Sequence, residues 1–485
     1  MSFLDESSWT ERAFSDGWTT TSGGSAPDIE PATGEEFTRV GVADPSDIER
    51  AAKRAAEAQR EWAKTPFDDR AAILRRAGDL IHDNAEELHG WIMRETGAIG
   101  GMAGLQTHVA SGECFEAAAL ASRPLGTILP TPKPQMSLAR RLPVGVVGVI
   151  SPFNAPLILS SRSVAPALAL GNSVVLKPDP RTPITGGVIL ARAFEEAGLP
   201  EGLLHVLPGG ADVGQALVED PNINLISFTG STAAGKKVGE AAARHAKSVL
   251  LEMGGNSATV IFDDADLDLA LSAGAFGSFM HQGQICMTTG RHIVHERIKD
   301  DYVEQLAKKA DGLPVGNPAT EQVALGPIID EQQRDNIHRL VSESVESGAR
   351  LAAGGRFEGL FYRPTVLDDV TPQTPAYATE VFGPVAPVIG FSDEEEARAL
   401  ASDTEYGLSL GIITRDVMKA VDFASQIPSG IVHINDQTVA DEPIIPFGGV
   451  GSSGNGTRLG GDANLDAFTE TQWLTIAGDV PQYPF

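Results

Sequence analysis

Between residues 144 and 255, five short apolar runs alternate with helix-forming segments, and this alternation limits the fold more than any other feature of the chain. The runs are VGVVGVI (144–150), SVVLKP (173–178), LLHVLP (203–208), NLISFTG (224–230) and KSVLLEMGG (247–255), separated by stretches such as ITGGVILARAFEEAG and STAAGKKVGEAAARH. A strand that is apolar throughout must be covered on both faces. Helices between successive strands supply that cover, so the pattern predicts a doubly wound, mostly parallel sheet with ligand loops at its strand ends. A second alternating region begins near Gly254, with RHIVHE, PTVLDD, APVIGF, SLGIITR and GIVHIN as strands, and predicts a second α/β domain. Upstream, residues 46–96 read as helices, opened by a capping box of Ser46 and Glu49 and ending at Gly97. The proline-rich segment SRPLGTILPTPKPQMSLARRL and the tail from Phe468 to Phe485 fit neither sheet. They read as arms for subunit contacts or as solvent-exposed connectors.

At 485 residues and 42% apolar content the chain holds more than one core. Its two cysteines, Cys114 and Cys286, exclude a disulfide framework and fit a reducing interior. The longest uncharged stretch, Arg141 to Arg162, is interrupted by Pro143, Pro152, Asn154 and Pro156, which argues for strand, loop and helix start and against a membrane span. The acidic opening MSFLDESSWTER carries no charged-then-apolar leader, so the expected location is the cytoplasm. A net charge of −28 repels nucleic acid and predicts either a surface kept soluble in concentrated salt, hence a halophilic host, or an ordinary acidic enzyme.

Two residues carry the chemistry. Cys286 lies in HQGQICMTTG, and Glu252 closes an apolar strand before Met253, Gly254 and Gly255. A thiol that forms a covalent adduct and a carboxylate that activates water would together oxidise an aldehyde to an acid. Taken singly, each has a plainer reading, as a buried inert cysteine and a solvated strand-end acid. In SPFNAP the prolines fix a turn that projects Asn154, whose amide either stabilises an oxyanion or closes an Asx turn. Lys177 ends a strand where ligands of open sheets are met, although a surface lysine is the alternative. Gly230 to Lys236 spells G-x-x-x-x-G-K, but Lys237 stands where a nucleotide-hydrolysing loop needs Ser or Thr for magnesium. What remains is a helix start at Gly230 and Ser231 able to receive a diphosphate.

Asn154, Lys177, Gly230, Glu252 and Cys286 in this order, followed by ATEVFGPV around Glu380 and Phe382 and by PFGGVGSSGNGTRLGG from Pro446, resemble the aldehyde dehydrogenase superfamily from about residue 30 to the C-terminus. KPDPRT, GQICMTTGRH and PFGGVGSSGNG look most like its benzaldehyde-type, or aryl-aldehyde, members. The resemblance implies an α/β fold of two doubly wound domains plus a small β-rich oligomerisation arm. It divides the chain into an NAD(P)-binding domain (1–121 and 144–253), a catalytic domain (254–449), and an arm and tail (122–143 and 450–485). It also implies roles: a Cys286 thiolate attacking the aldehyde, an oxyanion held by Asn154, and Glu252 activating water against the thioester. Lys177 would bind the adenosine ribose, Ser231 the diphosphate and Glu380 the nicotinamide ribose, with Phe382 beside it. No metal is required, and a homodimer or homotetramer is expected.

One departure bears on the cofactor. Pro180 stands where many relatives carry a Glu that holds the adenosine ribose, and Arg181 follows, so NADP is expected to be accepted beside NAD, unless Asp179 restores the exclusion. For an aromatic aldehyde, Phe153, Ile285, Met287 and Phe447 are the expected apolar wall, with Ala155 leaving room beside Asn154, though these could equally be core residues. Transfer of the acyl group to coenzyme A or phosphate, or a silent binding protein on the same fold, are the competing functions, and Glu252 together with Cys286 and Asn154 argues against both.

Overall fold

The computed structural model describes residues 2–485, which form two seven-stranded sheets, a three-stranded sheet and two small hairpins. In the first large sheet, five parallel strands run in the order Ser248–Glu252, Leu225–Thr229, Val146–Ile150, Ser173–Lys177, Leu204–Val206, and Ala13–Phe14 and Trp18–Thr19 extend it antiparallel. All five apolar runs of 144–255 are in it. Because side chains alternate across a strand, Val147, Val149, Val174 and Leu176 pack with helices Phe67–Asp83, Gly100–Leu120 and Pro156–Ala169. Val146, Val175 and Ile226 face the other way, onto helices Pro45–Trp62 and Ala211–Glu219. Strand order reverses between Val146–Ile150 and Leu225–Thr229, so the loops leaving those two strands part around a crevice.

The second sheet runs Arg350–Ala353, Thr365–Asp368, Val385–Phe391, Thr289–His295, Ser257–Ile261, Ser409–Ile413, Ile431–Ile434, parallel except for Arg350–Ala353. The strand Ser257–Ile261 is central and fully buried, yet SATVI gives little apolar signal, and the sequence pattern passes over it. The same holds for the 21-residue helix Gly100–Leu120, which is buried on most sides and so shows no stripe.

The expected capping box is displaced by two residues. Pro45 occupies the first helical position, where its missing N–H costs nothing, so the cap is Asp44: its carboxylate accepts from Ser46 and Asp47, and the Asp47 side chain accepts from the Asp44 N–H. The two segments that fit neither large sheet pair with each other. Thr469–Ala477 runs antiparallel along the whole of Gln135–Pro143, with Gly126–Ile128 on the far edge. No helix among the described residues is long and apolar enough to cross a membrane.

Candidate active site

Glu252 ends its strand at the crevice but is only 4% exposed, and neither carboxylate oxygen has a hydrogen-bond partner among the described residues. The segment 447–459 roofs it. Met253 N–H donates to Ser453 O (2.9 Å), Glu252 bridges to Gly454, and a Cβ on Gly448 would lie 2.7 Å from Glu252 Oε1 and 2.6 Å from Thr457 O. Burial pushes the carboxyl up to about 8, against the opposing charges of Arg162 and Arg458. The strand-end acid is thus buried and holds its proton to near pH 8.

Cys286 comes from the second sheet, just before strand Thr289–His295. Between helix Leu267–Phe279 and the thiol, three consecutive residues take the left-handed conformation: His281 (φ 49°), Gln282 (φ 57°) and Gly283 (φ 65°). For the two that carry side chains this costs about 1–2 kcal/mol each. The bend is held by side-chain amides and a ring: His281 Nε2–H donates to Asn154 O (2.6 Å), and Gln282 Nε2 donates to Gly97 O (3.0 Å) and Pro327 O (2.9 Å). Gln284 Oε1 accepts from Ile329 N (3.1 Å). Burial drops His281 to about 4, so the ring stays neutral. The half-buried thiol is pushed up to about 12 by burial and then by the Glu380, Glu252 and Asp441 carboxylates, with Arg162 opposing. It therefore needs a base to become a nucleophile.

Asn154 is buried, and an Asx turn to the second following N–H is impossible there because that residue is Pro156. Its carbonyl meets His281, so the loop that projects the amide also braces the cysteine loop. Of the five residues expected at the aromatic pocket, Ile285, Met287 and Phe447 form one apolar cluster with Leu408, and Cys286 packs against it. The other two lie elsewhere. Ala155 packs on the core of the first sheet, and Phe153 lies under the Arg181 guanidinium (4.1 Å) and edge-on to Phe382 (5.8 Å).

Arg162 escapes sequence reasoning, although a lone arginine in the apolar helix Pro156–Ala169 is a signal. Its guanidinium stacks on Phe447 (4.7 Å) and donates to Glu113 (3.1 Å) and Asp441 (2.5 Å), while one terminal nitrogen has no partner among the described residues. Burial pushes Glu113 up to about 7 despite the arginine. Neighbouring residues of one segment thus touch both groups: Phe447 meets the Arg162 guanidinium and Gly448 lies against Glu252.

Among the residues that could hold a cofactor, Lys177 is buried, not at the surface, and Nζ donates to Gly209 O (2.9 Å) and Pro178 O (3.2 Å). Ser231 caps the 13-residue helix Thr232–Arg244 through Ala234 N (3.3 Å), and Gly230 N–H donates to Glu252 O (3.0 Å). Glu380 Oε1 accepts from Gly255 N (2.9 Å), and its carboxyl fills the space beside Gly254 that a Cβ would take. Burial pushes Glu380 up to about 7. Phe382, at φ 52°, is steadied by Gln333 Nε2 donating to its carbonyl (2.9 Å). Pro180 is exposed, whereas Arg181 is neither free nor a plain surface residue: it donates to both oxygens of Asp179 (2.8 and 2.9 Å) and to Asp330 (2.6 Å).

A profile of the aldehyde dehydrogenase family matches residues 18–474. The chain is 64% identical, over 100% of both chains, to a vanillin dehydrogenase of an Amycolatopsis species. It is 46% identical, over 98% of each, to a benzaldehyde dehydrogenase [NAD(+)] of Pseudomonas putida. Among solved structures, a salicylaldehyde dehydrogenase from Pseudomonas putida G7 complexed with salicylaldehyde superimposes with a TM-score of 0.95 at 35% identity, covering 98% of this chain and 99% of that one.

Proposed function

The chain belongs to the aldehyde dehydrogenase family, and from that premise we propose that it oxidises an aromatic aldehyde to the carboxylic acid with NAD, through a covalent adduct on Cys286. The Cys286 thiol loses its proton to solvent, the thiolate attacks the carbonyl carbon, a C–S bond forms, and the carbonyl pair moves onto an oxygen received by the Asn154 amide and the Cys286 N–H. As the carbonyl reforms in a thioester on Cys286, bound NAD would supply the hydride acceptor. Glu252 takes a proton from the water that attacks this thioester, the C–S bond breaks, and Cys286 leaves as thiolate. A carboxylate titrating near 8 is suited to that task near neutral pH.

The residues present fit the cofactor: the exposed Ser231 N-terminus of a 13-residue helix for the diphosphate, buried Lys177 for the adenosine ribose, and Glu380 with Phe382 for the nicotinamide ribose. NADP as a second cofactor is proposed on exposed, uncharged Pro180 alone, since Arg181 is engaged by two aspartates.

The aromatic substrate is carried by one observation, the apolar cluster of Ile285, Met287, Leu408 and Phe447 packed around a half-buried thiol, in keeping with the relatives' names. Cofactor absorbance across a panel of aldehydes tests it: benzaldehyde should show a higher kcat/KM than hexanal or acetaldehyde, and the reverse order removes the aromatic reading.

The domain division proposed is 1–121 with 144–253 for cofactor, 254–449 for catalysis, and 122–143 with 450–485 as arm and tail. The three separate sheets support it. Ile128 and Trp473 on the arm sheet are 74% and 72% exposed, which supports a homodimer or homotetramer assembled through that sheet. The −28 charge supports a halophilic, cytoplasmic setting.

A further inference from the structure

The loop after strand Ser173–Lys177 crosses to the other half of the molecule at one side chain. Arg181 is fixed at its own end by Asp179, which takes two parallel N–H bonds at 2.8 and 2.9 Å, and reaches Asp330 at 2.6 Å. Asp330 caps helix Glu331–Glu346, whose Ile337, Leu340 and Val341 pack with Val260 and Ile293 of the second sheet. The same helix carries Gln333, which donates to the carbonyls of Val381 (3.2 Å) and Phe382 (2.9 Å). Phe382 meets Phe153 edge-on, and Phe153 lies beneath Arg181. The contacts therefore close a ring: Arg181, Asp330, Gln333, Phe382, Phe153 and back to Arg181.

We propose that Arg181 is a positioning residue, a clamp across the crevice that holds the Glu380–Phe382 loop in register with the Phe153–Asn154 loop for hydride transfer. This rests on the roles proposed above for Glu380 and Asn154. One loop is assigned to the cofactor and the other to the adduct, so a link between them sets the distance the hydride travels. An isolated surface ion pair would contribute little, but a bidentate pair joined to a second carboxylate and stacked on an aromatic face has the fixed geometry that a clamp requires. The arrangement also accounts for the arginine differently from recognition of a 2′-phosphate, because Nε and both terminal nitrogens each already donate to a carboxylate.

The test compares two reactions of the full-length protein: benzaldehyde oxidation, which needs the cofactor loop, and hydrolysis of 4-nitrophenyl acetate without cofactor, which needs only the thiol and the base and so checks their assignment separately. Arg181→Gln should lower the ratio of oxidation to ester hydrolysis about tenfold, within the range expected for misplacement of well-oriented reactants. It should also enlarge the isotope effect seen with benzaldehyde deuterated at the aldehyde carbon. Asp330→Asn retains a helix cap and a similar shape, keeps the test decisive if the arginine variant folds poorly, and should move the same ratio in the same direction. The double variant should be no worse than Arg181→Gln alone. An unchanged ratio in these variants, or additive losses in the double variant, overturns the clamp.

Discussion

The two large sheets meet the crevice with opposite ends. The first presents its C-terminal edge: Asn154, Lys177, Gly230 and Glu252 all lie at or just beyond strand ends, where open α/β sheets bind ligands. The second presents its N-terminal edge, with Gly255, Cys286, Glu380 and Phe382 all preceding their strands. Its C-terminal edge, where the same rule would place a site, is closed locally by Asp264 accepting from Thr414 Oγ1 (2.8 Å) and Arg415 N (3.0 Å). The edges also differ in how they are held. The first has no left-handed non-glycine residue in the loops that carry Asn154, Lys177, Gly230 and Glu252, whereas the second needs a left-handed bend at His281, Gln282 and Gly283 and another left-handed residue at Phe382. A site made this way joins the strand-end edge at which open α/β sheets bind ligands to an externally braced edge that carries Cys286.

The comparison breaks most sharply at Cys286. Cys286→Ala should reduce oxidation about 10⁵-fold or to background while leaving NAD binding by titration in place, because the cofactor edge is untouched. Turnover in that variant would show that the second edge does not deliver the nucleophile. Glu252→Gln should leave one rapid burst of reduced cofactor and then slow turnover by about 10²–10⁴-fold. Since Glu252 must be ionised to act, deacylation by the unmodified enzyme should rise with pH through about 8 and be lost below it, and the glutamine variant should lack this limb. Gly448→Ala probes the strap between the edges. Its Cβ would meet Glu252 Oε1 and Thr457 O, so steady-state oxidation should drop about 10²-fold with the burst retained, read by stopped flow. At the outer end of the first edge, Pro180→Glu should cut NADP use relative to NAD by roughly 5- to 150-fold, the ratio set by about 1–3 kcal/mol of coupling. Equal weakening of both cofactors would take Pro180 out of the discrimination. The smallest effect lies outside both edges: molar potassium chloride should screen the −28 charge and raise the melting temperature by a few degrees, and a lower value would remove the salt-adapted reading.

Much of this was legible in one dimension because the signals are local. Apolar runs at strand length located every parallel strand of the first sheet, and residues at motif positions pointed to Glu252, Cys286, Asn154 and Glu380. Reading failed where burial comes from all sides, as in Gly100–Leu120 and Ser257–Ile261, since periodicity exists only when one face meets water. Nor does any local signal show that Gln282 and Gln284 brace the cysteine loop, that Arg162 stacks on Phe447, or that Phe153 turns from the substrate cluster toward Arg181. Sequence by itself determined the layer architecture and the reactive residue types, because strand and helix periodicity and side-chain chemistry are carried by neighbouring residues. Tertiary structure alone decided that Glu252 is a buried carboxyl near 8 and Cys286 a thiol near 12, because those values arise from burial and from charges on Arg162, Glu380, Asp441 and Arg458, all distant in the chain.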